Sequence, residues 1–95
     1  MDEERAKIVT ANETARINVI QDELQLLFHM SYSDLPSSPR LRLHEMLLEA
    51  LDDSKEHTKE EYLAVLRSGN RFTAIVQPLV RTAFCVVSFI CSLPS

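Results

Sequence analysis

"INVIQDELQLLF", residues 17–28, decides the fold because its apolar side chains recur at helical spacing. With 3.6 residues per turn, five of them fall on one helix face. They are Ile17, Ile20, Leu24, Leu27 and Phe28. No Pro or Gly occurs between residues 3 and 29, and the acids at the start complement a helix dipole. This stretch therefore predicts a long amphipathic helix over approximately residues 3–30.

The stretch that follows, "SYSDLPSSPR" (residues 31–40), carries two prolines and four serines. Such turn chemistry predicts the main linker at residues 31–38. Ser38 and Pro39 have the form of an N-cap followed by Pro at the first helical position. We therefore expect a second helix over approximately residues 39–52.

A third helix is predicted over approximately residues 58–68. Thr58 and Glu61 have the spacing of a capping box, in which each side chain satisfies a backbone donor of the other residue. The stretch Ser68-Gly69-Asn70 is typical of a helix end, because Gly and Asn tolerate the left-handed conformation. Strand-like alternation of apolar and polar residues is not found in the sequence.

The sequence closes with "RFTAIVQPLVRTAFCVVSFICSLPS", residues 71–95, whose apolar part spans residues 72–93. Pro78 is expected to open the fourth helix, over approximately residues 78–93, after a short basic approach. The prediction is a single all-α domain, residues 1–95, folded as a small bundle of about four helices. A hydrophobic content of 45% with a single Gly agrees with an ordered helical chain.

The apolar part is a marginal membrane span. Its 22 residues would make about 33 Å of helix, against a hydrocarbon core of about 30 Å. Arg81, Gln77 and Pro78 cancel most of the gain from insertion. A helix starting at Leu79 has fifteen apolar-rich residues, which is short for a full crossing. The alternatives are burial within its own bundle, burial by another chain, or a membrane.

No acidic residue follows Glu61, whereas several basic residues do. We expect Arg67, Arg71 and Arg81 to contact an anionic membrane surface or another anion in the membrane hypothesis. The opening "MDEERAK" lacks the basic and apolar regions of a signal peptide. The expected location is cytoplasmic, at the inner face of a membrane if the membrane hypothesis holds.

The sequence predicts no enzyme, no cofactor, no metal site and no small-molecule substrate. Carboxylate pairs fall at helix ends among polar residues, and one Gly cannot build a phosphate loop. His29, His44 and His57 are scattered, without metal-ligand spacing. Cys85 and Cys91 are six residues apart, on different faces of a helix, and are expected to be buried thiols or to form an intermolecular disulfide.

A helix-turn-helix interpretation is the second alternative. Residues 62–68 would form the first helix, Gly69 the turn, and residues 71–76 the start of a recognition helix. Pro78 is expected to end that helix early, and the acidic remainder of the chain disfavours phosphate contacts. Nucleic-acid binding is therefore the least favoured of the three interpretations.

The stretch "RSGNRFTAIVQPLVRTAF" resembles, over residues 68–84, the membrane-entry junction of three-span phage holins. The matching positions are Ser68, Gly69, Asn70, Phe72 and Pro78. The resemblance implies a protein that oligomerises in the cytoplasmic membrane until it is permeabilised. Gln77 stands where that family often has a basic residue, and the sequence offers no further span after residue 93.

The favoured interpretation is a non-enzymatic helical interaction protein that self-associates or binds a protein partner through apolar helix faces. The expected interface residues lie on the first and last helices, where the alternative role of each is intramolecular core. They are Ile17, Ile20, Leu24, Leu27 and Phe28, together with Phe84, Val87, Phe89 and Ile90.

Overall fold

The computed structural model describes residues 2–80, which form a small all-α bundle of four helices without a strand in that range. Helix α1 is Asp2–Phe28, α2 is Ser37–Ala50 and α3 is Lys59–Arg67, and a fourth helix, α4, begins at residue 71 and includes the described residues from there to 80. A short 3-10 helix, Tyr32–Asp34, lies in the connection between α1 and α2. The predicted fold class is confirmed.

Helix α1 begins with three acidic residues in its first turn, where the helix dipole favours negative charge. It ends when His29 takes a left-handed conformation, with φ of 55°. The His29 amide then donates to the Gln25 carbonyl at 3.1 Å, which satisfies one of the last carbonyls of the helix. His is one of the residue types that adopt this conformation more often than most.

The predicted start of α2 was wrong by two residues. The helix begins at Ser37, with Pro36 as an N-cap that makes no side-chain bond, instead of beginning at Pro39 after a Ser38 cap. Pro39 lies in the first turn, where a missing N–H costs nothing because those donors have no intrahelical partner. The end also comes earlier, at Ala50, and Leu51 leaves the helix in an extended conformation.

The predicted capping box of α3 is confirmed. The Glu61 amide donates to the Thr58 hydroxyl at 3.2 Å, and the Thr58 amide donates to a Glu61 carboxylate oxygen at 3.0 Å. The helix ends before Gly69, whose φ of 81° is the left-handed conformation expected there.

The predicted start of the fourth helix was also wrong. Helix α4 begins at residue 71, so the segment taken as a basic approach is helical, and Pro78 lies inside the helix instead of opening it. Phe72 and Val76, one turn apart, are buried in the core, and this burial holds the early turns of α4 in place. The helix also continues past Pro78 to residue 80, where the helix-turn-helix interpretation expected it to end.

All four helices and the α1–α2 connection contribute to one apolar core. Phe28 and Phe72 bring α1 and α4 together, with ring centroids 6.0 Å apart. The buried apolar residues are Val19, Ile20, Leu24, Leu35, Leu43, Met46, Leu47, Tyr62, Leu66, Phe72 and Val76.

Candidate functional site

Helix α1 buries three polar side chains beside its apolar ones. The exposed fractions of Asn12, Arg16 and Glu23 are 0%, 5% and 3%. Their spacing places them on the same face as the core residues of the helix. Asn12 and Arg16, together with His44 and Asp53, form a connected set that we call the polar seam.

Asn12 holds the loop between α2 and α3 against α1. Its side-chain amide donates to an Asp53 carboxylate oxygen at 3.1 Å and to the Lys55 carbonyl at 2.7 Å. Its side-chain oxygen accepts from the His57 amide at 2.9 Å. One buried side chain therefore satisfies groups on three loop residues, which fixes the loop without apolar burial.

Arg16 continues the polar seam from the loop to α2. Its guanidinium donates to Asp53 at 3.0 Å and, through Nε, to His44 Nδ1 at 3.2 Å. Because Arg can only donate, the neutral His44 ring carries its proton on Nε2, which faces the Tyr32 hydroxyl at 2.8 Å. Burial lowers the pKa of His44, the Arg16 charge lowers it further, and Glu13 opposes them.

The surroundings of His57 shift its pKa in the opposite direction from that of His44. Its Nδ1 lies 3.0 Å from a Glu61 carboxylate oxygen and its Nε2 lies 2.6 Å from the Asp52 carbonyl. The bond to Glu61, followed by the bond to Asp52, raises the pKa of His57. A protonated ring can donate to both acceptors, so this histidine favours the charged form whereas His44 favours the neutral one.

Tyr62 lies beneath the polar seam. Its side chain is completely buried, and the Arg16 guanidinium lies 5.9 Å from the ring centroid. The Tyr62 hydroxyl has no hydrogen-bond partner in the structure. Burial raises the pKa of this hydroxyl, and Arg16 acts against that rise, first by its polar approach to the hydroxyl, which falls short of hydrogen-bond geometry, and then by its charge.

Glu23 makes a separate polar contact further along α1. Its two carboxylate oxygens accept from Arg67 of α3, at 3.2 Å from Nε and 3.0 Å from the terminal nitrogen. This two-point contact matches the planar geometry of both groups. The Glu23 side chain is 4% exposed and that of Arg67 is 55% exposed, so the pair closes the edge of the α1–α3 contact.

The polar seam is suited to holding helices together. It contains a relay of hydrogen bonds but no Ser, Thr or Cys placed against a base as an activated nucleophile would be. Among residues 2–80, no group of three His, Cys, Asp or Glu side chains could hold a metal ion. None of the helices in that range has the length and apolar character needed to cross a membrane.

Several large apolar side chains remain exposed. On α1, Leu26 and Leu27 are 64% and 51% exposed; on α2, Leu41 and Leu48 are 61% and 40% exposed. Residues seven apart on a helix share a face, so Leu41 and Leu48 form one apolar ridge. At 100° per residue, that ridge lies opposite the face that α2 buries in the core.

The expected first-helix interface residues divide between the core and the surface. Ile20 and Leu24 are completely buried, Ile17 and Phe28 are partly buried, and Leu27 is exposed. Ile20 and Leu24 therefore have the intramolecular role, and Leu27 remains available for a partner. The expected last-helix residues lie outside the described residues, namely Phe84, Val87, Phe89 and Ile90.

Two of the three expected anion-contact residues make ion pairs within the chain. Arg67 binds Glu23, as described above, and Arg71 lies 3.3 Å from Glu49 of α2 with both side chains exposed. The third, Arg81, lies outside the described residues. Their contact with a membrane surface remains a prediction.

The sequence interpretation missed the buried polar residues and the apolar ridge of α2. Asn12 and Arg16 precede Ile20 by eight and four residues, a spacing that places all three on one face. That face was interpreted from its apolar members alone. Leu41 and Leu48 are seven residues apart in the sequence. The prediction for α2 used only the residues of its core face and therefore did not include them.

Comparison of the chain with protein families, with curated proteins and with solved structures gave no match.

Proposed function

We propose that this chain is a non-enzymatic helical interaction protein that acts through exposed apolar helix faces. The observation that carries the proposal is the ridge of Leu41 and Leu48, opposite the core face of α2. Leu41 and Leu48 are seven residues apart on the outer face of a helix whose inner face is already buried, and this heptad spacing supports contact with another helix. Leu26 and Leu27 offer a second exposed apolar pair on α1.

The test is size-exclusion chromatography with light scattering over a wide concentration range, with and without detergent. We expect a mass above that of one chain, or a defined complex with one protein partner. Replacement of Leu41 and Leu48 with Ser should reduce the association, and the same replacement of Leu26 and Leu27 is the matched variant. A monomer in both conditions that binds no protein would refute the proposal.

A helix-turn-helix function is a second candidate supported by one observation. Helix α3, the turn at Gly69 and α4 follow each other closely, and α4 continues through Pro78. Against it, the basic side chain at the start of α4, Arg71, pairs with Glu49. The test is titration with duplex DNA at low salt, where phosphate contacts are strongest. Binding that weakens steeply with added salt would support this candidate, and undetectable binding would refute it.

A further inference from the structure

The outer face of α2 carries charged residues as well as leucines, and the order of the charges along the helix determines how this face can pair with another helix. Arg42, Glu45 and Glu49 are all exposed, and they lie along one side of the Leu41 and Leu48 ridge. Arg42 follows Leu41 directly and Glu49 follows Leu48 directly. The face therefore has a Leu-Arg pair near its start and a Leu-Glu pair near its end.

With this order, the outer face of α2 is complementary to the same face of a second α2 that runs in the opposite direction. Two copies of α2 packed antiparallel around Glu45 place Leu41 of one copy against Leu48 of the other. The same arrangement places Arg42 of one copy against Glu49 of the other, twice by symmetry. In a parallel pair, the charged edges of the two copies lie on opposite sides of the helix–helix contact, so Arg42 of one copy does not meet Glu49 of the other.

The surroundings of the ridge agree with an interhelical contact. A shallow groove lies between α2 and α4, lined by Arg42, Glu45, Arg71, Ala74 and Ile75. The small side chain of Ala74 and the partly buried Ile75 leave room beside the charged edge of α2. Arg71 adds a second positive charge near Glu49, at 3.3 Å, so this edge carries two positive and two negative groups.

We infer that α2 forms an antiparallel contact with α2 of a second copy of this chain, across a two-fold axis near Glu45. The inference rests on the proposed function and names its partner. The Leu41 and Leu48 ridges of the two copies bury each other, and the Arg42–Glu49 pairs set the orientation. Glu45 of each copy meets Glu45 of the other near the axis, so this residue weakens the contact.

The test uses charge reversal in two separate full-length chains. Arg42→Glu alone and Glu49→Arg alone should each weaken self-association about tenfold, because each creates two like-charge contacts. An equimolar mixture of the two variants should form a heterodimer at wild-type affinity, because every contact in it is again between opposite charges. Sedimentation velocity with one variant labelled measures this, and circular dichroism checks that each variant is folded.

Three further variants complete the test. Lys59→Ala removes an exposed positive charge of α3 and should leave the dissociation constant unchanged, whereas Glu45→Gln should tighten the contact about twofold. Replacing both Leu41 and Leu48 with Ser should weaken association on the order of 100-fold or more.

The outcomes separate the two proposals. A mixture that associates no better than the single variants, or an Arg42→Glu variant that associates more tightly than wild type, would overturn the antiparallel α2 contact. Self-association that survives the loss of both leucines would also overturn it, while leaving the proposed function intact. A wild-type chain that stays monomeric and binds no protein would overturn both.

Discussion

The apolar core and the polar seam hold the same helices together by different physics. In the core, Leu24 and Leu47 are completely buried by other side chains, and their contribution scales with the volume and area they fill. In the seam, Asn12 is equally buried but contributes through three hydrogen bonds to one loop. The core therefore tolerates changes that conserve volume, whereas the seam tolerates changes that leave no buried polar group unsatisfied.

The largest effect is expected in the core. Leu24→Ala should lower the free energy of unfolding by about 2–5 kcal/mol, because it removes buried contacts and leaves a cavity. Leu24→Met, which nearly conserves volume, should cost less than about 1.5 kcal/mol. Urea denaturation followed by circular dichroism measures both, and equal losses for the two variants would contradict the volume argument.

Within the seam, Asn12→Ala should lower the free energy of unfolding by about 1–3 kcal/mol. The variant leaves the His57 amide and the Lys55 carbonyl without their present partner. Hydrogen exchange should show faster exchange at the His57 amide than in wild type. Thr10→Ala, at an exposed position on the same helix, is the control, and an equal loss there would argue against a special role for Asn12.

Protonation of His44 should make the free energy of unfolding depend on pH. Its pKa is lowered in the folded state, so the unfolded chain binds the proton more tightly. The free energy of unfolding should therefore fall as the pH decreases from about 6.5, the pKa of an unperturbed His, towards the folded pKa. His44→Gln should remove this acid-side decrease, and an unchanged decrease in that variant would assign it to other groups.

His57 should act in the opposite direction. Its pKa is raised in the folded state by Glu61 and the Asp52 carbonyl. Its contribution to stability is fully present below the unfolded pKa of about 6.5 and should be lost as the pH rises through the folded value. Thermal unfolding of wild type and of His57→Gln across this range measures the effect, which should be modest because Glu61 is solvent-exposed.

The smallest effect is expected for Tyr62→Phe. The Tyr62 hydroxyl is buried and makes no hydrogen bond of good geometry, so its removal should leave the free energy of unfolding within about 1 kcal/mol of wild type, or raise it. Tyr32→Phe is the matched control, because the Tyr32 hydroxyl bonds to His44 and its loss should destabilise. A larger loss for Tyr62→Phe than for Tyr32→Phe would show that the hydroxyl of Tyr62 does have a partner in solution.

The comparison between core and seam also explains what could be predicted from the sequence. Apolar spacing identified the helices, and the Thr58–Glu61 pair located the start of α3, since both signals are local. The start of α2 predicted from Ser38 and Pro39 was two residues too late. Ser and Pro also fit the first turn of a helix, where the backbone N–H groups have no intrahelical partner. The start of α4 predicted from Pro78 was seven residues too late. The helix begins at residue 71 because burial of Phe72 and Val76 outweighs the cost of a Pro inside the helix.

The polar seam could not be predicted in the same way. Asn12 and Arg16 become core residues only because Asp53, Lys55 and His57 return to them from about forty residues away. Spacing on α1 shows which face they share but not which groups will satisfy them. The exposure of Leu41 and Leu48 could not be predicted either, since a leucine pair alone does not reveal which face of α2 enters the core.

In our proposal the outer face of α2 is an association surface. Light scattering on the full-length wild-type chain and on the variant in which Leu41 and Leu48 are replaced with Ser measures this association. We expect a wild-type mass that rises with concentration from one chain to two, and a folded variant that stays at the mass of one chain. Equal masses for the two proteins at every concentration would contradict it.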